Sequence, residues 1–143
     1  MSADSDAVDR AVAFIRLHAR AVLVTHRSDG GLQSSPVAVG VDAADRLVVS
    51  TPSRTAKARN LRREPLATLC VVPDDWYGPW ASVDITAEVV GQPDALPLLE
   101  DYYRRTAHAE HPDWSQFRAA MTEEDRVLLR LTPTRAAGPG ANS

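Results

Sequence analysis

Short apolar segments joined by tight turns constrain the fold of this chain more than any other feature. Residues 21–27 (AVLVTHR) and 32–41 (LQSSPVAVGV) flank the turn Ser28-Asp29-Gly30-Gly31, whose glycines accept positive φ, so the pair reads as a β-hairpin. Pro36 has no N–H for a ladder and predicts a bulge or a sheet edge in the second of these strands. Asp42-Ala43-Ala44-Asp45 turns the chain into a third strand over 46–50, and further strands are expected at 67–72, 80–90 and 127–132. Helices are expected over 6–18, from the spacing of Val8, Val12 and Ile15, and over 54–63, with Ser53 as N-cap and Pro65 as stop. Leu96, Leu99, Tyr102 and Tyr103 mark a third helix, and Pro112-Asp113 opens a fourth. The order α-β-β-β-α-β-β-α-α-β contains no repeated βαβ unit. A doubly wound parallel sheet is therefore disfavoured, and a mainly β, α+β fold is expected: a small antiparallel barrel with helical covers.

At 143 residues the chain fits a single domain spanning 1–143, with disorder expected for the leader 1–5 and the tail 136–143. No run of roughly 18 apolar residues is present and the start, MSADSDAVDR, is acidic, which points to a cytoplasmic protein without a membrane partner. The net charge of −3 argues against nucleic acid as a partner, so any bound anion must meet a local cluster of cations. The single cysteine, Cys70, lies in the apolar run ATLCVV and reads as a small buried thiol.

The basic residues are bunched. Lys57 is the only lysine beside fifteen arginines, and it stands among Arg54, Arg59, Arg62 and Arg63. The stretch VVSTPSRTAKARN ends a strand in hydroxyl residues and begins a helix, where N–H groups, the helix dipole and the hydroxyls of Ser50, Thr51, Ser53 and Thr55 suit an anion. The residues alone leave a second reading standing, in which the hydroxyls cap the helix and the cations form its wet face. Trp76-Tyr77-Gly78-Pro79-Trp80 brings three aromatic rings to one turn, suited to stacking on a planar ligand or to a subunit interface. The cluster His108, Glu110, His111, Asp113 matches no zinc-helix spacing, and Asp113 reads as an N-cap; no metal site is expected. No nucleophile elbow and no phosphate-binding glycine loop occurs, so no side chain is assigned a catalytic role. The chain reads as a binding site whose chemistry a cofactor supplies.

The ordered series STPSRTAKARNLRREP, DDWYGPW, VDITAEVV, EHPDWSQFRAAM and RVLLRLTP resembles the pyridoxamine 5'-phosphate oxidase-like superfamily, and within it the branch that uses coenzyme F420. The resemblance covers residues 21–135. It implies a Greek-key split β-barrel with flanking helices, a homodimer, and a cofactor site at the subunit interface. It further implies that Ser50, Thr51, Arg54, Thr55 and Lys57 hold the cofactor phosphate, with Ala58, Arg59 and Asn60 nearby. Some relatives carry arginine where this chain has Thr55, which leaves the choice between Arg54 and Thr55 as phosphate contact open. Trp76, Tyr77, Gly78, Pro79 and Trp80 match the segment flanking the deazaflavin ring, and Ile85 replaces a glycine of the pattern. The implied activity is hydride transfer from reduced F420 to an unsaturated or conjugated small molecule. FMN is the alternative cofactor, and a non-catalytic F420-binding or storage protein is the alternative role. The acidic tail of F420 would suit Arg59, Arg62, Arg63 and Arg118.

Overall fold

The computed structural model describes residues 3–142. Among them, strands β1 (Arg20–His26), β2 (Leu32–Ala38), β3 (Gly40–Val41), β4 (Leu47–Pro52), β5 (Leu66–Val71), β6 (Ala81–Val90) and β7 (Arg126–Ala137) form one sheet. Their lateral order is β2-β1-β5-β6-β7-β4-β3, and every pairing is antiparallel. The helices are α1 (Ala3–Leu17), α2 (Ala56–Arg63), α3 (Ala95–Ala107) and α4 (Trp114–Glu123).

β2 and β3 are the two ends of this sheet, yet only Val39 separates them in the chain. With one residue between them, the Cα atoms of Ala38 and Gly40 can be at most about 7 Å apart, so the sheet has to curl until its edges meet. The single strand expected over 32–41 is thus a strand that changes partner, from β1 to β4, with the Val39 N–H donating to the Ala19 carbonyl at 2.8 Å. Continuing the β3–β4 register, in which Gly40 faces Val48, would set Ala38 against Ser50. β2 stays with β1 instead, and Tyr102 of α3 stands in the resulting split. Its hydroxyl donates to the Ala38 carbonyl at 2.7 Å and accepts from the Ser50 backbone. This is a split barrel.

Alternation decides which side chains fill it. Leu23, Leu69, Val83, Val49, Leu129 and Leu131 point inward and are almost wholly buried. Val48 and Leu128 point outward, beneath Ala95 and Leu99 of α3 and Phe117 of α4, where a second core forms. That double burial explains why β7 opens on an uninterrupted apolar run. Pro36 lies in an edge strand, opposite Val22. The irregularity falls elsewhere, between Asp84 and Ile85, where β6 slips against β7. Cys70 is half-buried rather than buried, because it takes an outward position of β5.

Three further expectations are corrected. Thr55, not Ser53, caps α2, because its hydroxyl reaches the Ala58 N–H. The leader is helical from Ala3, while residues 1, 2 and 143 lie outside the described residues. The tail is ordered: β7 runs to Ala137, and Pro139–Ala141 forms a 3-10 turn in which Ala141 is buried. The small residues suggested disorder, but they let the backbone lie flat against the protein. Gly140 donates to the Trp80 carbonyl at 2.8 Å, and Arg10 Nε donates to the Ala141 carbonyl at 2.8 Å. Deleting residues 138–143 should therefore lower stability by about 1–3 kcal/mol in a urea melt, where loss of a disordered tail would leave the midpoint unchanged.

Candidate functional site

Where β4 ends, the hydroxyl-rich run folds onto itself before it faces outward. Thr55 Oγ1 donates to the Pro52 carbonyl at 3.0 Å and accepts from the Ala58 N–H, so its one proton is taken. Thr51 Oγ1, 2.9 Å away and itself buried, must then donate to Thr55. These two hydroxyls build the turn. The first intrahelical bond is from Arg59 N–H to the Thr55 carbonyl, which leaves the N–H groups of Ala56 and Lys57 ahead of it without an intrahelical acceptor. Ser50 Oγ accepts from Arg126 at 3.2 Å and keeps its own proton to donate.

Lys57 is half-buried in the first turn of α2 and, among the described residues, has neither a hydrogen-bond acceptor nor a carboxylate partner. Burial lowers the pKa of its ammonium below the ordinary lysine value, and the positive charge of Arg126 adds to that effect. Arg126 is itself shared between Ser50 and Glu124, so the neighbourhood holds two cations around one carboxylate. The phenol of Tyr102 lies in the same field: burial raises its pKa, and the Ser50 backbone hydrogen bond and Arg126 oppose the rise. An arrangement of this kind is complementary to a compact anion.

Other expected residues take structural places. Ala58 is fully buried, and Asn60 is buried with its Nδ2 on Thr25 Oγ1 at 3.1 Å. Arg59 reaches back to the Arg54 carbonyl, Arg62 clasps Ser53, and Arg63 holds the His26 carbonyl. Arg54 is exposed, and its guanidinium has no partner among the described residues. Arg118 stands on α4, which packs on α3 and β7, and is ion-paired with Glu100 at 2.8 Å. Asp113 caps α4, as expected, and His111 joins the aromatic cluster of Tyr103, Trp114 and Phe117. Sequence reasoning missed Arg126 and Tyr102, because only the β4–β7 register and the split bring them to Ser50.

Trp76 and Tyr77 are largely exposed and Trp80 partly so; with Gly78, Pro79 and Pro139 they wall a pocket of about 490 Å³. This pocket and the Lys57 cluster are separate within the chain. β4 meets β7 with Ser50 facing Leu128, whereas the strand that follows Trp80 meets it with Ser82 facing Ala137. Roughly 30 Å of strand contour lies between those two points.

The sequence profile of the pyridoxamine 5'-phosphate oxidase family matches residues 7–138. The chain belongs to that family. Its fold is shared with solved members of the wider group. A conserved hypothetical protein of Mycobacterium tuberculosis is 22% identical at a TM-score of 0.73, over 92% of this chain and 82% of that one. An F420 reductase is 21% identical at a TM-score of 0.65, over 87% of this chain and 94% of that one. A heme-binding protein from Mycobacterium smegmatis is 19% identical at a TM-score of 0.69, over 94% of this chain and 54% of that one. The family as a whole binds flavin-type cofactors and includes oxidoreductases. No helix among the described residues of this member is long and apolar enough to cross a membrane.

The half-buried ammonium gives this family member a testable pH dependence. A lysine whose folded pKa lies below its unfolded one binds its proton more weakly in the native state, so stability rises as pH climbs from the folded toward the unfolded value. Lys57→Met should raise the melting temperature of the ligand-free protein at neutral pH and flatten that rise. Thermal melts between about pH 7 and pH 11 on both proteins test this, and identical profiles would return Lys57 to a solvated side chain.

Proposed function

We propose that this protein is a cytoplasmic, homodimeric oxidoreductase that uses reduced coenzyme F420 to reduce an unsaturated or conjugated small molecule. The observation that carries the reading is Lys57: a half-buried ammonium beside Arg126, at a helix start, without an anionic partner among the described residues. The donors present suit a phosphate group. Lys57 and Arg126 supply charge, Ser50 a hydroxyl, and the N–H groups of Ala56 and Lys57 a directed pair of hydrogen bonds. Arg54, exposed and free, is the better placed of the two open candidates, since the Thr55 hydroxyl is already taken up in its cap.

Bound there in its reduced form, F420 would supply a hydride. The chain's own part is binding and orientation: the α2 cluster fixes the phosphate end, and the loop from Trp76 to Trp80 offers aromatic faces for a flat ring. The separation of these two groups along β7 favours a site shared by two protomers, one giving the phosphate contacts and its partner the rings. A storage or carrier role is the second reading, favoured by the likeness of fold to a heme storage protein from Vibrio cholerae at 14% identity and a TM-score of 0.64.

Separate titrations with F420, FMN and hemin, followed by fluorescence or absorbance, discriminate among these. F420 is expected to bind at least about tenfold more tightly than FMN, a difference of about 1.4 kcal/mol. Preferential binding of FMN or hemin would sink the assignment, and F420 binding without turnover on a panel of quinones and enones would favour storage. Lys57→Ala should weaken F420 binding by about 1.5–3 kcal/mol, the worth of a charge-assisted contact. Arg54→Ala should weaken it too, while Thr55→Ala should act on stability, by about 1 kcal/mol through the lost cap.

A further inference from the structure

The aromatic pocket has a wall that the aromatic loop does not provide. Pro139 closes one side of it, and Pro139 belongs to the C-terminal turn. That turn is locked in place from several directions. Gly138 has φ 103°, a conformation that strains any side chain, and a Cβ there would come within 2.6 Å of Trp80 Cζ3 and 2.9 Å of the Trp80 carbonyl oxygen. Gly140 donates to that same carbonyl, a Cβ on it would meet the Phe14 ring at 3.0 Å, and Arg10 of α1 holds the Ala141 carbonyl. Helix α1, the C-terminal turn and Trp80 are therefore held together by direct contacts. Trp76 and Tyr77, on the facing loop, carry no such restraint and are largely exposed.

We propose that Gly138 and Pro139 determine which flat, conjugated ring the aromatic loop accepts, Gly138 by fixing the face of Trp80 and Pro139 by closing one side of the pocket. About 490 Å³ lies in the range of small-molecule sites, the lining carries no charged side chain, and indole and phenol rings favour offset stacking on a planar partner. A glycine at 138 is what permits the indole to lie against the turn. The ring comes either from the deazaflavin or from the molecule it reduces. Naming either source rests on the proposed function, whereas the stacking site itself does not.

The test uses the full chain and two probes, menadione alone and F420 alone, each followed by saturable quenching of tryptophan fluorescence. Near-UV circular dichroism and the melting temperature serve as folding controls. Menadione is expected to bind the wild type. Pro139→Ala, which removes the wall without a clash, should weaken ring binding roughly three- to tenfold, and Gly138→Ala, which displaces Trp80, should weaken it further. Lys57→Ala should leave menadione binding unchanged. If the pocket takes the cofactor ring, the two tail variants weaken F420 as well; if it takes the acceptor, they weaken menadione and spare F420. No saturable menadione or F420 quenching in the wild type, or unchanged affinity for both probes in Pro139→Ala, overturns the proposal. Loss of F420 binding to the wild type with menadione binding intact would instead overturn the proposed cofactor and leave this site standing.

Discussion

The transfer of one strand between two partners at Val39 is the constraint on which the rest of the architecture depends. Because β2 and β3 are covalently continuous yet lie at opposite ends of the sheet order, the sheet closes, and because β2 keeps its pairing with β1, it closes imperfectly. The imperfection is the split that Tyr102 bridges between Ala38 and Ser50. Everything at the candidate anion site borders it. Ser50 lies on its β4 side, Arg126 reaches Ser50 through the adjacent β7 register, and α2 begins directly after β4 ends.

The two halves of the molecule that invite a ligand are built on opposite principles. At the start of α2 the protein gathers charge and leaves it unsatisfied, which disfavours the ligand-free state locally and makes an anion its natural complement. At the aromatic loop the protein gathers apolar surface and leaves it exposed, while anchoring one ring through backbone contacts of the tail. Neither feature is needed to close the barrel, whose core of inward-facing leucines and valines is complete without them. Unneeded charge and unneeded apolar exposure in a small domain are the marks of binding surfaces.

Much of this was legible in the chain. The short apolar segments that became β1 and β5, the glycine turn of the first hairpin and the missing βαβ units led directly to an antiparallel barrel with helical covers, because local chemistry dictates each of those features. The Thr55 cap was harder to read, since Ser53 and Thr55 offer the same hydroxyl and only the path of residues 51–55 decides between them. Arg126 and Tyr102 could not be read at all: they lie far from Ser50 in sequence, and no periodicity encodes a cross-strand register. The tail failed for a different reason. A run of Ala, Gly and Pro signals disorder when it has nothing to lie against, and here the indole of Trp80 and the ring of Phe14 are what it lies against.

The split has one more consequence. Beyond the Tyr102 contact, the outer edge of β2 pairs with no strand among the described residues, the kind of edge on which a strand from another chain can add itself and begin aggregation. Pro36 sits in the middle of that edge and interrupts its row of donors. The barrel can thus remain open along one seam while a single imino acid makes that seam a poorer template for a further strand.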